Sequence, residues 1–245
     1  MQSAMLLVLL YHLITVVNSN STDHPHRVRN LPGAPPEPVF PLYSGFVDVE
    51  MHGLQHIVFY VLCEAIHADP LDSPLVVWLN GGPGASSQLG LLLEHGPYIL
   101  ETDGSLRYND YSWNQYANIL YIESPVFVGF SHISNHSRYK NARAFGQDRI
   151  YQDNATASLN TEALHVFMTK VHPRYANRDF FITGESYGGL YVPFFARAVL
   201  AGIKNGTFAN DRFKGIAMGN AGMDFYTRMF SAVVQSFSMG TIPQK

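Results

Sequence analysis

The stretch Phe180 to Pro193 reads FFITGESYGGLYVP. An unbroken apolar run enters a Gly-Glu-Ser-Tyr-Gly turn, and a second apolar segment leaves it. Continuous apolar runs of this length suit a strand buried on both faces of a mainly parallel sheet. The turn matches the G-x-S-x-G pattern, in which a serine sits on a tight strand-to-helix corner with glycines relieving the crowding. In that geometry Ser186 is a nucleophile, and the amide of Tyr187, at the helix start, faces a developing oxyanion. A Gly/Ser helix cap without chemistry fits the same five residues, and the motif alone does not decide between the two.

Elsewhere in the chain, PLVVWL (Pro74 to Leu79), ANILYI (Ala117 to Ile122) and FKGIAMG (Phe213 to Gly219) repeat the buried-strand pattern. SGFVDVE and QHIVFYVLC, separated by Met51-His52-Gly53, read as an antiparallel hairpin. Helical spacing is expected over Ser87 to Glu94, over Ser158 to His172 and through LYVPFFARAVL, with Pro193 near the start of the last or at a kink. A hairpin followed by alternating strands and helices predicts an α/β fold, a mixed and mostly parallel sheet with helices on both faces.

The strand PLVVWL runs straight into Asn80-Gly81-Gly82-Pro83-Gly84. Glycines there let a backbone amide approach a substrate closely, so this loop is the candidate for a second oxyanion donor; a purely structural turn is the alternative. Cys63, the single cysteine, lies in an apolar run and reads as a core residue rather than a reactive thiol, and it leaves no intramolecular disulfide to form.

The chain has 245 residues, 47% of them hydrophobic and 14% charged, with a net charge of −3, enough apolar material for one large core. No basic patch favours nucleic acid. No H-E-x-x-H, Cys/His cluster or phosphate-binding G-K-[ST] loop is present, so no metal or cofactor is expected. The apolar stretch Ala4 to Val17 is short for a membrane span and suits a signal peptide over residues 1–19, with no stable membrane anchor, although no Lys or Arg precedes Arg27. A retained anchor or a buried helix are the other readings of that stretch. Residues 20–41 form a Pro-rich leader and 42–245 the folded domain. Sequons at Asn20, Asn135, Asn154 and Asn205 agree with secretory entry, toward a lysosomal, vacuolar or extracellular destination.

WLNGGPGASS (Trp78 to Ser87), YSWNQYANILYIESPVFVGFS (Tyr111 to Ser131), GESYGGLYVP (Gly184 to Pro193) and KGIAMGNAGMD (Lys214 to Asp224) together resemble the serine carboxypeptidase family. The resemblance covers the chain from about Asn30 onward and implies an α/β-hydrolase fold, C-terminally truncated. By position it implies Ser186 as nucleophile and the amides of Gly82 and Tyr187 as the oxyanion hole. It also implies that Asn80, Gly81 and Glu185 bind a peptide's C-terminal carboxylate, with Glu94 supporting them and Trp78 lining the site. A carboxyl group beside a substrate carboxylate must keep a proton to donate a hydrogen bond, which ties such binding to acidic pH. The substrates implied are peptide or protein C-termini; a homodimer stays open.

Three departures from the family pattern stand out. Ala85 replaces a family cysteine, and Phe127 stands where the family has glycine. After Ser186 there is no histidine, and Asp211 and Asp224 fall too early to match the family's aspartate. In this fold the triad runs serine, acid, histidine along the chain, so the chain as written is expected to have little peptidase activity. Three alternatives remain: a non-catalytic binder that keeps the carboxylate loop, an acyltransferase using the same serine, and a histidine supplied from elsewhere, such as His95, which reads more simply as structural.

Overall fold

The computed structural model describes residues 24–35, 40–134 and 152–242. The expected signal peptide, Asn20 and Asn135 lie outside these residues, as does part of the Pro-rich leader. The hairpin forms as read. Strand β1 (Arg27–Val28) lies on the edge of β2 (Leu42–Met51), and β2 pairs antiparallel with β3 (Leu54–Cys63) along its full length. The segment expected as a leader therefore contributes a strand, and Val28 and Phe40 are buried.

From β3 the sheet continues through β7 (Asn118–Ile122), β4 (Leu75–Leu79), β9 (Phe180–Glu185) and β10 (Phe213–Gly219). The β3–β7 pairing is antiparallel, and the pairs β7–β4, β4–β9 and β9–β10 are parallel. The short β8 (His132–Ile133) also pairs with β3, and β5 (Tyr98–Leu100) with β6 (Leu106–Tyr108) makes a separate hairpin.

Alternation along the central strands divides the core. Leu75, Val77, Leu79, Leu120, Ile122, Phe180 and Ile182 face one side, where α1 (Asp153–Val166) and α2 (Gly188–Asn205) supply Leu159, Leu164, Val192, Phe195 and Val199. Trp78, Ile119 and Tyr121 face the other side, against Leu91, Leu92 and Tyr98. Each such fully buried side chain contributes roughly 1.5–3 kcal/mol. The expectation of helices on both faces is met unevenly. Among the described residues the two long ones share one face, and the opposite face is covered by a short helix through Gln88 that widens to a π-turn at Gly90–Glu94 and by the β5–β6 hairpin. Cys63 is fully buried and its thiol is pushed up by desolvation, as the core reading requires.

Two expectations are corrected, and one helix is new. β10 forms but is not a buried strand: among the described residues it has a sheet neighbour only in β9, so its outer positions are half or fully exposed. Helix α1 begins at Asp153, not Ser158, because the chain is still extended at Gln152; it runs into a π-turn at Phe167–Val171. Helix α3 (Phe225–Ser238), capped by the Asp224 carboxylate accepting from the Thr227 amide at 2.7 Å, has no counterpart in the sequence reading. It leaves Tyr226 and Phe230 81% and 73% exposed. Phe127 keeps a glycine-like backbone, at φ +69°, so the side chain sits at a strained position that costs about 1–2 kcal/mol.

Candidate active site

The site stands at the C-terminal ends of the parallel strands. β9 closes at Glu185, Ser186 turns at φ +55°, and α2 begins two residues later. A non-glycine residue held in this region carries strain of order 1–3 kcal/mol and persists only where the surroundings over-determine it. Here they do. The Ser186 amide donates to the Gly219 carbonyl at 3.1 Å, and the Ser186 carbonyl accepts from Gly222 at 2.8 Å, so the end of β10 pins the corner.

The glycine loop after β4 packs directly on that corner. A Cβ at Gly81 would lie 2.5 Å from the Tyr187 nitrogen and 2.8 Å from the Ser186 Cβ. Among the described residues the amides of Gly82 and Tyr187 have no acceptor, and the Ser186 hydroxyl has no hydrogen-bond partner. Tyr191, one helical turn on, packs edge-on against Tyr187 at 5.0 Å, with the Gly84 backbone near its hydroxyl.

Beside the serine is a compact carboxyl–amide cluster. The buried Asn80 accepts at Oδ1 from Trp78 Nε1 (2.7 Å) and from the Gly90 amide (3.0 Å). Those two bonds fix the flip of the amide, so Nδ2 must point outward, where it donates to Glu185 (3.0 Å) and Glu94 (3.2 Å). The Asn80 backbone donates to Ser87 Oγ at 3.3 Å, and Ser87 in turn donates to the Ile122 carbonyl at 2.7 Å. Trp78, expected to line the site, is buried and reaches it through Asn80. The Glu94 carboxyl is held above its usual range, first by desolvation and then by the neighbouring Glu185 charge, against the Asn80 bond that favours ionisation.

His95 is not poised as a base. It stacks on Trp113 at 4.2 Å, meets Trp78 edge-on at 4.2 Å and bonds the Tyr121 hydroxyl through Nδ1 at 3.2 Å. Burial depresses it to about 4. With the folded-state value below the unfolded one, its contribution to stability is complete above about pH 6.5 and is lost as pH falls toward 4. At about 1.4 kcal/mol per pKa unit this amounts to on the order of 3 kcal/mol. Thermal melts of His95→Gln across acidic pH should therefore decline less steeply than those of the unaltered chain; parallel curves would remove His95 as the source.

Ser186, Gly81, Gly82, Tyr187, Asn80, Glu94, Glu185 and Trp78, the residues singled out in the sequence, are gathered by the fold at one sheet end. Ser87, Tyr191 and the aromatic cage of His95 are additions from the structure. Helical phase places Tyr191 one turn beyond Tyr187, but nothing local shows that the two rings pack edge-on. Asn154 and Asn205 are exposed, on α1 and α2.

A serine at a strained strand–helix corner, on a mixed sheet with parallel central strands, defines an α/β-hydrolase-type protein. A family model described as serine carboxypeptidase matches residues 32–245. "Serine carboxypeptidase-like 46" of Arabidopsis thaliana is 40% identical over 96% of this chain and 48% of its own length. "Serine carboxypeptidase ctsa-3.1" of Caenorhabditis elegans is 38% identical over 89% of this chain and 36% of its own. The "Lysosomal protective protein" of Mus musculus is 38% identical over 87% and 41%. Among solved structures, the prohormone-processing carboxypeptidase Kex1(delta)p of Saccharomyces cerevisiae superposes with a TM-score of 0.73 at 27% identity, covering 84% of this chain and 44% of that one. The chain belongs to the serine carboxypeptidase family, and it spans between about a third and a half of the length of the curated relatives it matches.

Proposed function

We propose that this chain carries the nucleophile and substrate-carboxylate half of a serine carboxypeptidase that releases C-terminal residues from peptides. The reading rests on the contact between two loops. The strained Ser186 corner abuts the glycine loop, and the Asn80–Glu94–Glu185 cluster lies beside it. Ser186 Oγ attacks the last peptide carbonyl, and the oxyanion is received by the amides of Gly82 and Tyr187. The amine of the terminal residue leaves, with its carboxylate held by Asn80 and a protonated Glu94 carboxyl, beside Glu185. Water then releases the acyl group from Ser186.

The proton of Ser186 needs a base. No histidine follows Ser186 in residues 1–245, and His95 is locked in its cage. We infer that the base and its acid partner come from polypeptide beyond these residues, so that residues 1–245 alone bind without efficient turnover. The apolar stretch at Ala4–Val17 and the exposed sequons at Asn154 and Asn205 support passage through the secretory pathway, and the similarity to a lysosomal protective protein supports an acidic destination. No helix among the described residues is long and apolar enough to cross a membrane.

Calorimetry with a C-terminally free peptide and its amide tests the reading. At acidic pH the free acid should bind at least about tenfold tighter, roughly 1.4 kcal/mol, and Asn80→Ala should erase the difference. Because the Glu94 carboxyl is raised, affinity should weaken as pH rises through its titration; Glu94→Gln, a donor at every pH, should flatten that dependence. Equal affinity for acid and amide would rule out terminal-carboxylate recognition.

A further inference from the structure

The fold assembles a histidine cluster that sequence spacing does not reveal. His24 and His26, flanking Pro25 in the segment before β1, meet His172 at the end of the π-turn that follows α1. One ring nitrogen of each lies within 4.8 Å of the others. The His24 and His172 rings stack at 4.1 Å, and the Tyr60 hydroxyl bonds both His26 Nδ1 (2.6 Å) and His172 Nε2 (2.9 Å). His172 is 1% exposed, and its Nδ1 has no hydrogen-bond partner. The sheet makes room for the cluster: a Cβ at Gly45 of β2 would fall 2.5 Å from His26 Nδ1, so the ring lies where any other residue would put its side chain.

We infer that His24, His26 and His172 form a metal site for zinc, bracing the amino-terminal segment against the end of α1. Three imidazoles are the donor set of borderline transition ions rather than of calcium or magnesium. Tetrahedral zinc with bonds of about 2.0–2.1 Å sets its nitrogens roughly 3.3 Å apart. The cluster must therefore tighten by somewhat more than an ångström. His24 and His26 are only partly buried and have the freedom to turn inward, and an ion displaces the bonds His24 now makes with the His26 amide (3.1 Å) or the Val171 carbonyl (2.7 Å). His172 is buried, and its Nδ1 makes no hydrogen bond that an ion would have to displace. The nearby Arg174 guanidinium is matched by its ion pair with the buried Glu64 carboxyl, so the ion does not face an unopposed cation. A water, from the side where His24 and His26 are open, completes the fourth position.

The test is calorimetric titration of Zn²⁺ alone into the untagged, chelator-treated full chain near neutral pH, with thermal melts of the same samples. One ion per chain should bind with a dissociation constant in the micromolar range or tighter, and it should raise the melting temperature, since the unfolded chain holds no such triad. His24→Gln and His26→Gln should each weaken binding about tenfold or more. These are the informative variants because both residues are partly exposed, whereas His172→Gln opens the core. His67→Gln, at an exposed histidine far from the cluster in sequence, should bind as the unaltered chain does. Absence of saturable one-to-one binding, or unchanged affinity in the His24→Gln/His26→Gln double variant, would overturn the assignment.

Discussion

Replacing Gly81 by alanine should cost about 3 kcal/mol of stability and disable the site in whatever fraction still folds. The added Cβ would fall 2.5 Å from the Tyr187 nitrogen, 2.8 Å from the Glu185 carbonyl oxygen and 2.8 Å from the Ser186 Cβ. Two of those atoms are backbone, so no rotamer change relieves the contact; the β4 loop or the β9–α2 corner must move. A domain with a total stability of roughly 5–15 kcal/mol loses a large part of it. Any movement separates the Gly82 amide from Ser186, since the glycine loop meets the corner here. Urea unfolding compared with Gly219→Ala, where a Cβ would meet nothing within 4 Å, gives the measurement. A midpoint for Gly81→Ala equal to that of Gly219→Ala would mean that the loops are not in contact.

Much of this arrangement can be read from the chain. The central strands are unbroken apolar runs, and at that length, bounded by glycine loops, a buried strand is what they suit. The first hairpin shows itself through alternation and a turn. What stayed hidden depends on contacts between distant segments. β1 is a two-residue strand that exists only because β2 offers an edge, and β5–β6 is a brief hairpin in a polar loop. α3 is rich in aromatic and β-branched residues with weak helical preference. β10 looks buried from its composition, but burial depends on neighbours, and FKGIAMG carries no mark of which strands will flank it.

The site divides in the same way. Ser186 and the glycine loop are legible because the turn chemistry that serves them is local, whereas Asn80 is singled out only through the family resemblance. The orientation of the Asn80 amide is not, since it is set by Trp78 and Gly90 together. The raised Glu94 carboxyl follows from burial and from Glu185, far along the chain. His95 sits in the run Glu94-His95-Gly96-Pro97, where nothing local marks its ring as caged. Only the packing of Trp78, Trp113 and Tyr121 around it reveals the aromatic cage that holds its ring.

Ser186→Ala carries the other large effect. In a form of the protein that includes the base, replacing the nucleophile should lower turnover about ten-thousandfold or more, leaving only what the oxyanion donors and substrate binding retain. On the proposed reading peptide affinity should change little, because the substrate carboxylate would rest on Asn80, Glu94 and Glu185, which bond one another without the Ser186 hydroxyl. In residues 1–245 alone the same substitution should change almost nothing, since a serine without a base is already a weak nucleophile.

Hydrolysis of a blocked dipeptide at acidic pH, by residues 1–245 and by their Ser186→Ala variant, tests most directly whether the base lies outside these residues. Turnover near background is expected of both, alongside preserved binding of the free-acid peptide. Robust turnover by the unaltered chain that disappears in Ser186→Ala would show the opposite, that the base lies within these residues after all.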